Sequence, residues 1–261
     1  MASFDLISAV GHAYQKTWQE RKYLFRMAII PLLVKYICYA VAVTYIGTDN
    51  ILRLSLIMVP AYFLEGWLLS HWVRTIVLNH RWPFCPTGDE KQDMDQLRKR
   101  GRGIMSGTIA FTLINLLMAG YFAFFVSYIP MDMSAAPKEP DPMIAMIGMV
   151  MLVSTLLLFR FIWLYIPFSV NLPFKQYAEK VKRITLSFNM IGVWLVCFIP
   201  TVIVLQISGG ILGSIGSDER TAHVLDGLTM FVRIFLDLVK NLLCTAGMTY
   251  AFIELFGWKK K

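Results

Sequence analysis

Residues 143–159 read MIAMIGMVMLVSTLLLF, an apolar stretch without a single charged side chain. About 20 apolar residues in a helix cross the hydrocarbon core of a bilayer, and a helix satisfies all of its backbone hydrogen bonds internally. The stretch continues to Phe168 with Arg160 as its one charged residue. It therefore predicts a transmembrane helix over 143–168.

Five other stretches meet the same length requirement, and none alternates between apolar and polar residues as the strands of a membrane β-barrel do. They lie at 27–47, 52–79, 104–129, 188–210 and 225–256. The sequence thus predicts an all-α, polytopic bundle of six transmembrane spans that forms a single integral membrane domain over 1–261. Prolines within these stretches are expected to kink or end helices; they are Pro31, Pro60, Pro167 and Pro200.

The composition agrees with a lipid-embedded chain. Hydrophobic residues make up 57% and charged residues 16%, whereas soluble domains carry about 25% charged residues. These values exclude a soluble globule and a disordered chain. The four cysteines form no CxxC pair, and neither a metal nor another cofactor is predicted.

The net charge of +8 is interpreted as a signal of orientation, and no nucleic-acid partner is predicted. Seventeen of the 25 lysine and arginine residues lie in the segments 16–26, 81–102, 175–183 and 259–261. The opposite connections hold only Arg53, Lys138 and Arg220. Because cytoplasmic loops are enriched in basic residues, both termini are predicted to lie in the cytoplasm.

Amphipathic segments precede the first, third and fifth spans. Apolar residues recur at helical spacing from Phe4 to Phe25 and from Phe174 to Phe188, and a third helix is predicted from Asp89 to Arg100 after a cap at Thr87. Asn171 and Pro173 are expected to begin the helix over 171–187. Three cytoplasmic interfacial helices would result, each followed by a transmembrane hairpin, as a possible threefold repeat over 1–80, 81–168 and 169–261.

Charged residues inside the predicted spans form a candidate intramembrane polar site. The site consists of Lys35, Glu65, Arg233, Asp237 and Lys240. Unpaired charges at the bilayer centre are costly, so we expect Lys35 to pair with Glu65, and Asp237 with Arg233 or Lys240. Two interpretations stay open: the pairs hold helices together, or Glu65 and Asp237 line a pathway for protons, ions or a polar solute.

Basic residues on the predicted cytoplasmic side are candidate contacts for anionic lipid headgroups. They are Arg98, Lys99, Arg100, Arg102, Lys180, Lys182 and Arg183. At the start of the third span, Gly103 and Gly107 have the GxxxG spacing that is typical of close helix packing.

Residues 156–196, LLLFRFIWLYIPFSVNLPFKQYAEKVKRITLSFNMIGVWLV, contain an Arg-Phe pair, a proline that ends a span, an amphipathic helix and the next span. This layout resembles poorly characterised bacterial six-span inner-membrane proteins and the membrane domains that are joined to glycerophosphodiesterases. The resemblance implies a bacterial inner-membrane protein that faces lipid or a partner. It does not extend to a diesterase catalytic domain, so that activity is not carried over.

No catalytic constellation is apparent in the sequence, and an enzyme is not predicted. The leading interpretation is an accessory or scaffold protein that binds membrane lipids, another membrane protein, or both. The alternative is a small transporter or permease component that uses Glu65, Asp237 and the neighbouring cations. A water-filled cavity that reaches these two carboxylates would favour the alternative.

Overall fold

The computed structural model describes residues 4–45, 50–86, 88–127, 142–215 and 219–258. Within these ranges the chain is all-helical, as predicted, and has no β-strand. The described helices are α1 (Leu6–Gln19), α2 (Arg21–Tyr45), α3 (Ile51–Ile57), α4 (Val59–Leu78), α5 (Glu90–Val126), α6 (Pro142–Ile162), α7 (Tyr165–Ser169), α8 (Phe174–Lys180), α9 (Ile184–Ile215) and α10 (Glu219–Phe256). Lys138 and residues 259–261, which contribute to the predicted orientation, lie outside the described residues.

Four of these helices are long and apolar enough to cross a membrane: α2, α5, α9 over Ile184–Ser208, and α6 together with α7 over Pro142–Ser169. The pair α3 and α4 makes a fifth if it is one span bent by 60°. Large apolar side chains are exposed along these helices, among them Leu117 on α5 and Met149 on α6. Helices of this length with outward apolar faces are typical of a multi-pass membrane protein.

The sixth predicted span corresponds to α10. At 38 residues α10 is long enough to cross a bilayer, but Arg233, Asp237 and Lys240 interrupt its apolar sequence. By length and composition it is not among the candidate spans. A count of six therefore depends on how the fold accommodates these three charges.

Proline accounts for two breaks in the helices. A proline ring lacks an N–H and clashes with the carbonyl four residues earlier. Pro60 is the second residue of α4, directly after the bend that separates α3 from α4. Pro167 lies four residues after Trp163, where the chain leaves α6 before α7 begins. These two predicted effects are confirmed, whereas Pro31 and Pro200 lie inside α2 and α9 without a break.

The first predicted amphipathic segment contains the separate helix α1. The carboxylate of Asp5 caps its start by accepting the N–H of Ile7 at 3.1 Å. Ala9 and Ala13 are fully buried on the face that lies against α9 and α10, while Ile7 and Trp18 are exposed on other faces. A small-residue face therefore anchors α1 on the protein and leaves large apolar side chains outside.

The second amphipathic segment differs from the prediction of one helix over 171–187, because α8 ends at Lys180 before α9 begins at Ile184. Asn171 is not the cap: it has a φ of 62° and donates its side-chain amide to the Lys99 carbonyl oxygen at 3.0 Å. Pro173 takes the N-cap position. Tyr177 is buried with its ring centroid 5.7 Å from that of Phe252, so this side of α8 packs on protein.

The third predicted interfacial helix is not a separate element. Asp89 caps a helix by accepting the N–H of Lys91 at 3.1 Å, and that helix, α5, continues without a break to Val126. Thr87, the predicted cap, lies outside the described residues. The prediction of an end near Arg100 is therefore wrong, because the helix continues through Gly103 and Gly107, which pack closely on neighbouring elements.

Gly103 and Gly107 lie where α5 meets α4 and α7. A Cβ on Gly103 would lie 2.5 Å from the Ser169 carbonyl oxygen, and one on Gly107 would overlap the Ser169 hydroxyl. The close packing that the GxxxG spacing predicts is confirmed.

The centre of the bundle is α4, which lies against α2, α5 and α10. Leu68, Leu69 and Trp72 are buried in this helix. The Trp72 indole N–H donates to the Leu242 carbonyl oxygen of α10 at 3.2 Å. This contact joins α4 to α10 one to two turns from the predicted polar site.

Candidate functional site

Three helices bring the predicted intramembrane charges together. Lys35 comes from α2, Glu65 from α4 and Asp237 from α10. The Lys35 ammonium lies 2.7 Å from a Glu65 carboxylate oxygen and 2.5 Å from an Asp237 carboxylate oxygen. The pair Lys35–Glu65 was expected from the sequence, but the bridge from Lys35 to both carboxylates was not.

The rest of the cluster completes the bonding of the two carboxylates. Lys240 donates to the second oxygen of Asp237, as one of the two predicted pairings requires. Asn241 donates its side-chain amide to the second oxygen of Glu65 at 2.5 Å. Asn241 was not predicted from the sequence, although it lies four residues after Asp237 and therefore on the same helical face. Together Lys35, Lys240, Glu65 and Asp237 carry no net charge.

The two carboxylates differ sharply in their access to the surroundings. The Glu65 side chain is 2% exposed, whereas that of Asp237 is 38% exposed. The Lys35 side chain between them is 9% exposed. Glu65 thus lies behind Lys35, and Asp237 forms the accessible edge of the cluster.

Asp237 faces a cavity of about 1080 Å³ between α2, the bent pair α3–α4, and α10. Thr44, Leu54 and Asp226 line it near the end of α2, in α3 and in the first part of α10. Glu65 and Asn241 line its deep end. Polar and apolar side chains therefore line the cavity between the last turn of α2 and the ion-pair cluster.

Arg233 also lines this cavity. Among the described residues it forms no ion pair, so the expected pairing with Asp237 is made by Lys240 and Lys35 instead. Arg233 is exposed and forms part of the cavity lining.

Beyond the deep end, α4, α7 and α10 pack closely. The Tyr165 hydroxyl lies 2.7 Å from the Thr245 hydroxyl, and both residues are buried. With Leu69, Trp72 and Leu242, they form a layer that we call the closing layer. The cavity therefore reaches Thr44 near the end of α2, and dense packing lies beyond its other end.

The candidate headgroup contacts separate into two groups. Six of them are exposed along α5, at the end of α8 and in the α8–α9 connection; these are Arg98, Lys99, Arg102, Lys180, Lys182 and Arg183. Arg100 is buried and donates to the Arg81 carbonyl oxygen at 2.5 Å. Unlike the other six, Arg100 is not exposed, because it shares the inward face of α5 with Gly103 and Gly107; its contact with a headgroup stays a prediction.

Comparison with family models, curated proteins and solved structures finds no match to this chain.

Proposed function

We propose that this chain is a small membrane transporter or permease component that binds a charged or strongly polar solute in the cavity at Asp237. The observation that carries the proposal is a cavity of about 1080 Å³ that reaches the Lys35–Glu65–Asp237 cluster. This volume suits a small molecule. A cluster that only holds helices together needs no such access.

The proposal includes α10 as a sixth transmembrane span. An unpaired charge at the bilayer centre costs about 2.5–3.5 kcal/mol on insertion scales. Asp237 and Lys240 pair with each other, and Arg233 lines the cavity, so these three charges in the middle of α10 do not meet lipid unpaired. Their arrangement supports six spans, and the threefold repeat stays a prediction.

We further propose a bacterial inner-membrane location with both termini in the cytoplasm, on the basis of the basic residues in the connections. In this orientation α2 runs outward from Arg21 to Tyr45. Since the cavity reaches Thr44 near the outer end of α2, we expect it to open to the outside. The closing layer then separates the cluster from the cytoplasm.

The geometry suggests what a transport cycle would change. A solute with a negative group can bind Arg233 and Lys240, and one with a positive group can bind Asp237 and Asp226. Lys35 already bridges two carboxylates. A positively charged solute group that binds Asp237 would therefore displace Lys35 from Asp237, and Lys35 would then pair with Glu65 alone. Access to the cytoplasm would require separation of Trp72 from Leu242 and of Tyr165 from Thr245. The accessory or scaffold role stays a prediction that no contact in the described residues addresses.

The experiment is a flux measurement on purified protein in proteoliposomes, with mixtures of amino acids, dicarboxylates and polyamines as probes. We expect saturable uptake or current with at least one mixture, and its loss in Glu65→Gln and Asp237→Asn. The matched control is Asp95→Asn, an exposed carboxylate on α5 outside the cavity, which should keep the flux of the wild type.

Each outcome of the flux measurement is decisive. Folded variants at Glu65 and Asp237 that have lost flux support the transport proposal. Wild-type protein without flux for any mixture overturns it, and so do folded Glu65→Gln and Asp237→Asn variants that keep the flux of the wild type. If the variants fail to fold, saturable flux through the wild type still supports the proposal.

A further inference from the structure

A second cluster of charge lies about nine residues further along α4 than Glu65, or about 13 Å at 1.5 Å per residue. It is built around Arg74 of α4 and Arg100 of α5, which are 3% and 6% exposed. Fully buried arginines are rare unless they are paired with an anion. These two have no carboxylate partner in an ion pair among the described residues.

Backbone oxygens satisfy only part of each guanidinium. Arg74 donates to the Ser169 carbonyl oxygen at 2.7 Å, and Arg100 to the Arg81 carbonyl oxygen at 2.5 Å. The Nε atoms of both arginines are buried without a hydrogen-bond partner in the described part of the chain. An arginine has five N–H donors, and a buried donor without a partner costs about 1–3 kcal/mol.

Arg100 lines a pocket of about 560 Å³ that lies between the end of α4 and the first part of α5. Arg81 and His80 line the same pocket, and the Arg74 guanidinium reaches it through a 3.4 Å contact with the His80 ring nitrogen Nδ1. No carboxylate is among the described lining residues. The pocket is therefore a cationic cavity with room for a ligand.

The acidic residues near this pocket are already engaged. Glu20 binds Arg81 at 2.5 Å and Lys16 at 3.1 Å. Asp93, about two turns before Arg100, accepts the Gly88 backbone N–H at 3.2 Å. Neither carboxylate forms an ion pair with Arg74 or Arg100 in the described residues.

Aromatic residues indicate the depth of the pocket. Trp67 and Trp82 lie with ring centroids 6.4 Å apart beside His71, and Trp82 is exposed. Tryptophan is enriched at the boundary between lipid and water, where phospholipid headgroups lie. The pocket also precedes the apolar part of α5 that begins near Ile104.

From these contacts we infer that the pocket at Arg81 and Arg100, with Arg74 behind it, binds a phosphate group. Guanidinium groups hold phosphate through paired, charge-assisted hydrogen bonds. A phosphate would supply the negative charge and the acceptor oxygens that the two buried arginines lack. The group can come from an anionic phospholipid headgroup or from a soluble phosphate compound. This site is distinct from the cavity at Asp237, from which the closing layer separates it.

The test is calorimetric titration of the purified full chain in dodecyl maltoside, with inorganic phosphate and with dihexanoyl-phosphatidylglycerol as probes. Potassium chloride at equal ionic strength and dihexanoylglycerol, which has no phosphate, are the ligand controls. We expect saturable binding of at least one phosphate-bearing probe. If inorganic phosphate and dihexanoyl-phosphatidylglycerol bind with similar affinity, a soluble phosphate compound is sufficient to occupy the site. If the lipid alone binds, the site recognises a phospholipid headgroup.

The variant Arg100→Gln should weaken this binding about tenfold or more, because one charge-assisted contact is lost. The matched control is Arg53→Gln, an exposed arginine on α3 outside the pocket, which should change the affinity less than twofold. Equal loss in the two variants would overturn the inference. So would wild-type protein that binds neither probe, a result that does not depend on whether Arg100→Gln folds.

Discussion

Replacing Lys35 by methionine removes one charge from the cluster and nearly preserves the side-chain length. Glu65, with its side chain 2% exposed, then keeps the Asn241 amide as its only bonding partner among the described residues. Removal of one partner from a buried ion pair typically costs about 3–5 kcal/mol, because the other charge is left uncompensated. We expect Lys35→Met to lower the free energy of unfolding by this amount.

Two further variants separate this effect from a general loss of packing. The double variant Lys35→Met/Glu65→Gln removes both charges and keeps an acceptor for Asn241, so it should cost at least 2 kcal/mol less than Lys35→Met alone, on the order expected for coupled charges. Lys240→Met should cost about 0–1 kcal/mol, as for exposed pairs, because Asp237 keeps Lys35 and is 38% exposed. Denaturant unfolding in detergent, followed by tryptophan fluorescence, measures all three. A Lys35→Met variant within 0.5 kcal/mol of the wild type, or a Lys240→Met variant that loses as much as Lys35→Met, would refute the reasoning.

Two further predictions concern helix packing. Gly107→Ala should destabilise the protein by about 1–3 kcal/mol through overpacking, since its Cβ would lie 2.5 Å from the Ser70 hydroxyl. The control Gly120→Ala has open space around it and should stay within about 0.5 kcal/mol of the wild type. Equal thermal midpoints for the two variants would contradict the predicted overpacking. Tyr121→Phe should cost about 0.6–1.7 kcal/mol, because the Tyr121 hydroxyl reaches Ser154 at 2.7 Å and Thr155 at 2.8 Å and thereby joins α5 to α6. The control is Tyr45→Phe, because Tyr45 is exposed. If the two variants show the same stability in chemical unfolding, the Tyr121 hydroxyl does not stabilise the contact between α5 and α6.

The membrane helices were predictable where apolar runs are long, as in α2, α6 and α9. Hydrophobic length alone does not show where a helix changes direction. Pro60 marked the region of the bend before α4, but Pro31 and Pro200 are also prolines and lie inside continuous helices. The outcome at each proline depends on neighbouring helices, which one sequence does not identify.

The partners of the charged residues were predictable only in part. Because charges in lipid must be neutralised, the sequence correctly predicts the pairs Lys35–Glu65 and Lys240–Asp237. It does not reveal that Lys35 touches both carboxylates, because this requires the relative heights of α2, α4 and α10. Arg100 could have been distinguished from Arg98 and Lys99, since Arg100 and Gly103 are three residues apart on the packed face of α5.

The central claim is that the cavity at Asp237 is open to the outside and closed towards the cytoplasm. Labelling of single cysteines by a membrane-impermeant maleimide in intact cells tests it most directly, in a background with Cys38→Ala and Cys85→Ser. Thr229→Cys, in the cavity lining, should react in intact cells, and Gln96→Cys, in the basic pocket, should react only in inverted membrane vesicles. Reaction of Thr229→Cys from the cytoplasmic side alone would contradict the claim.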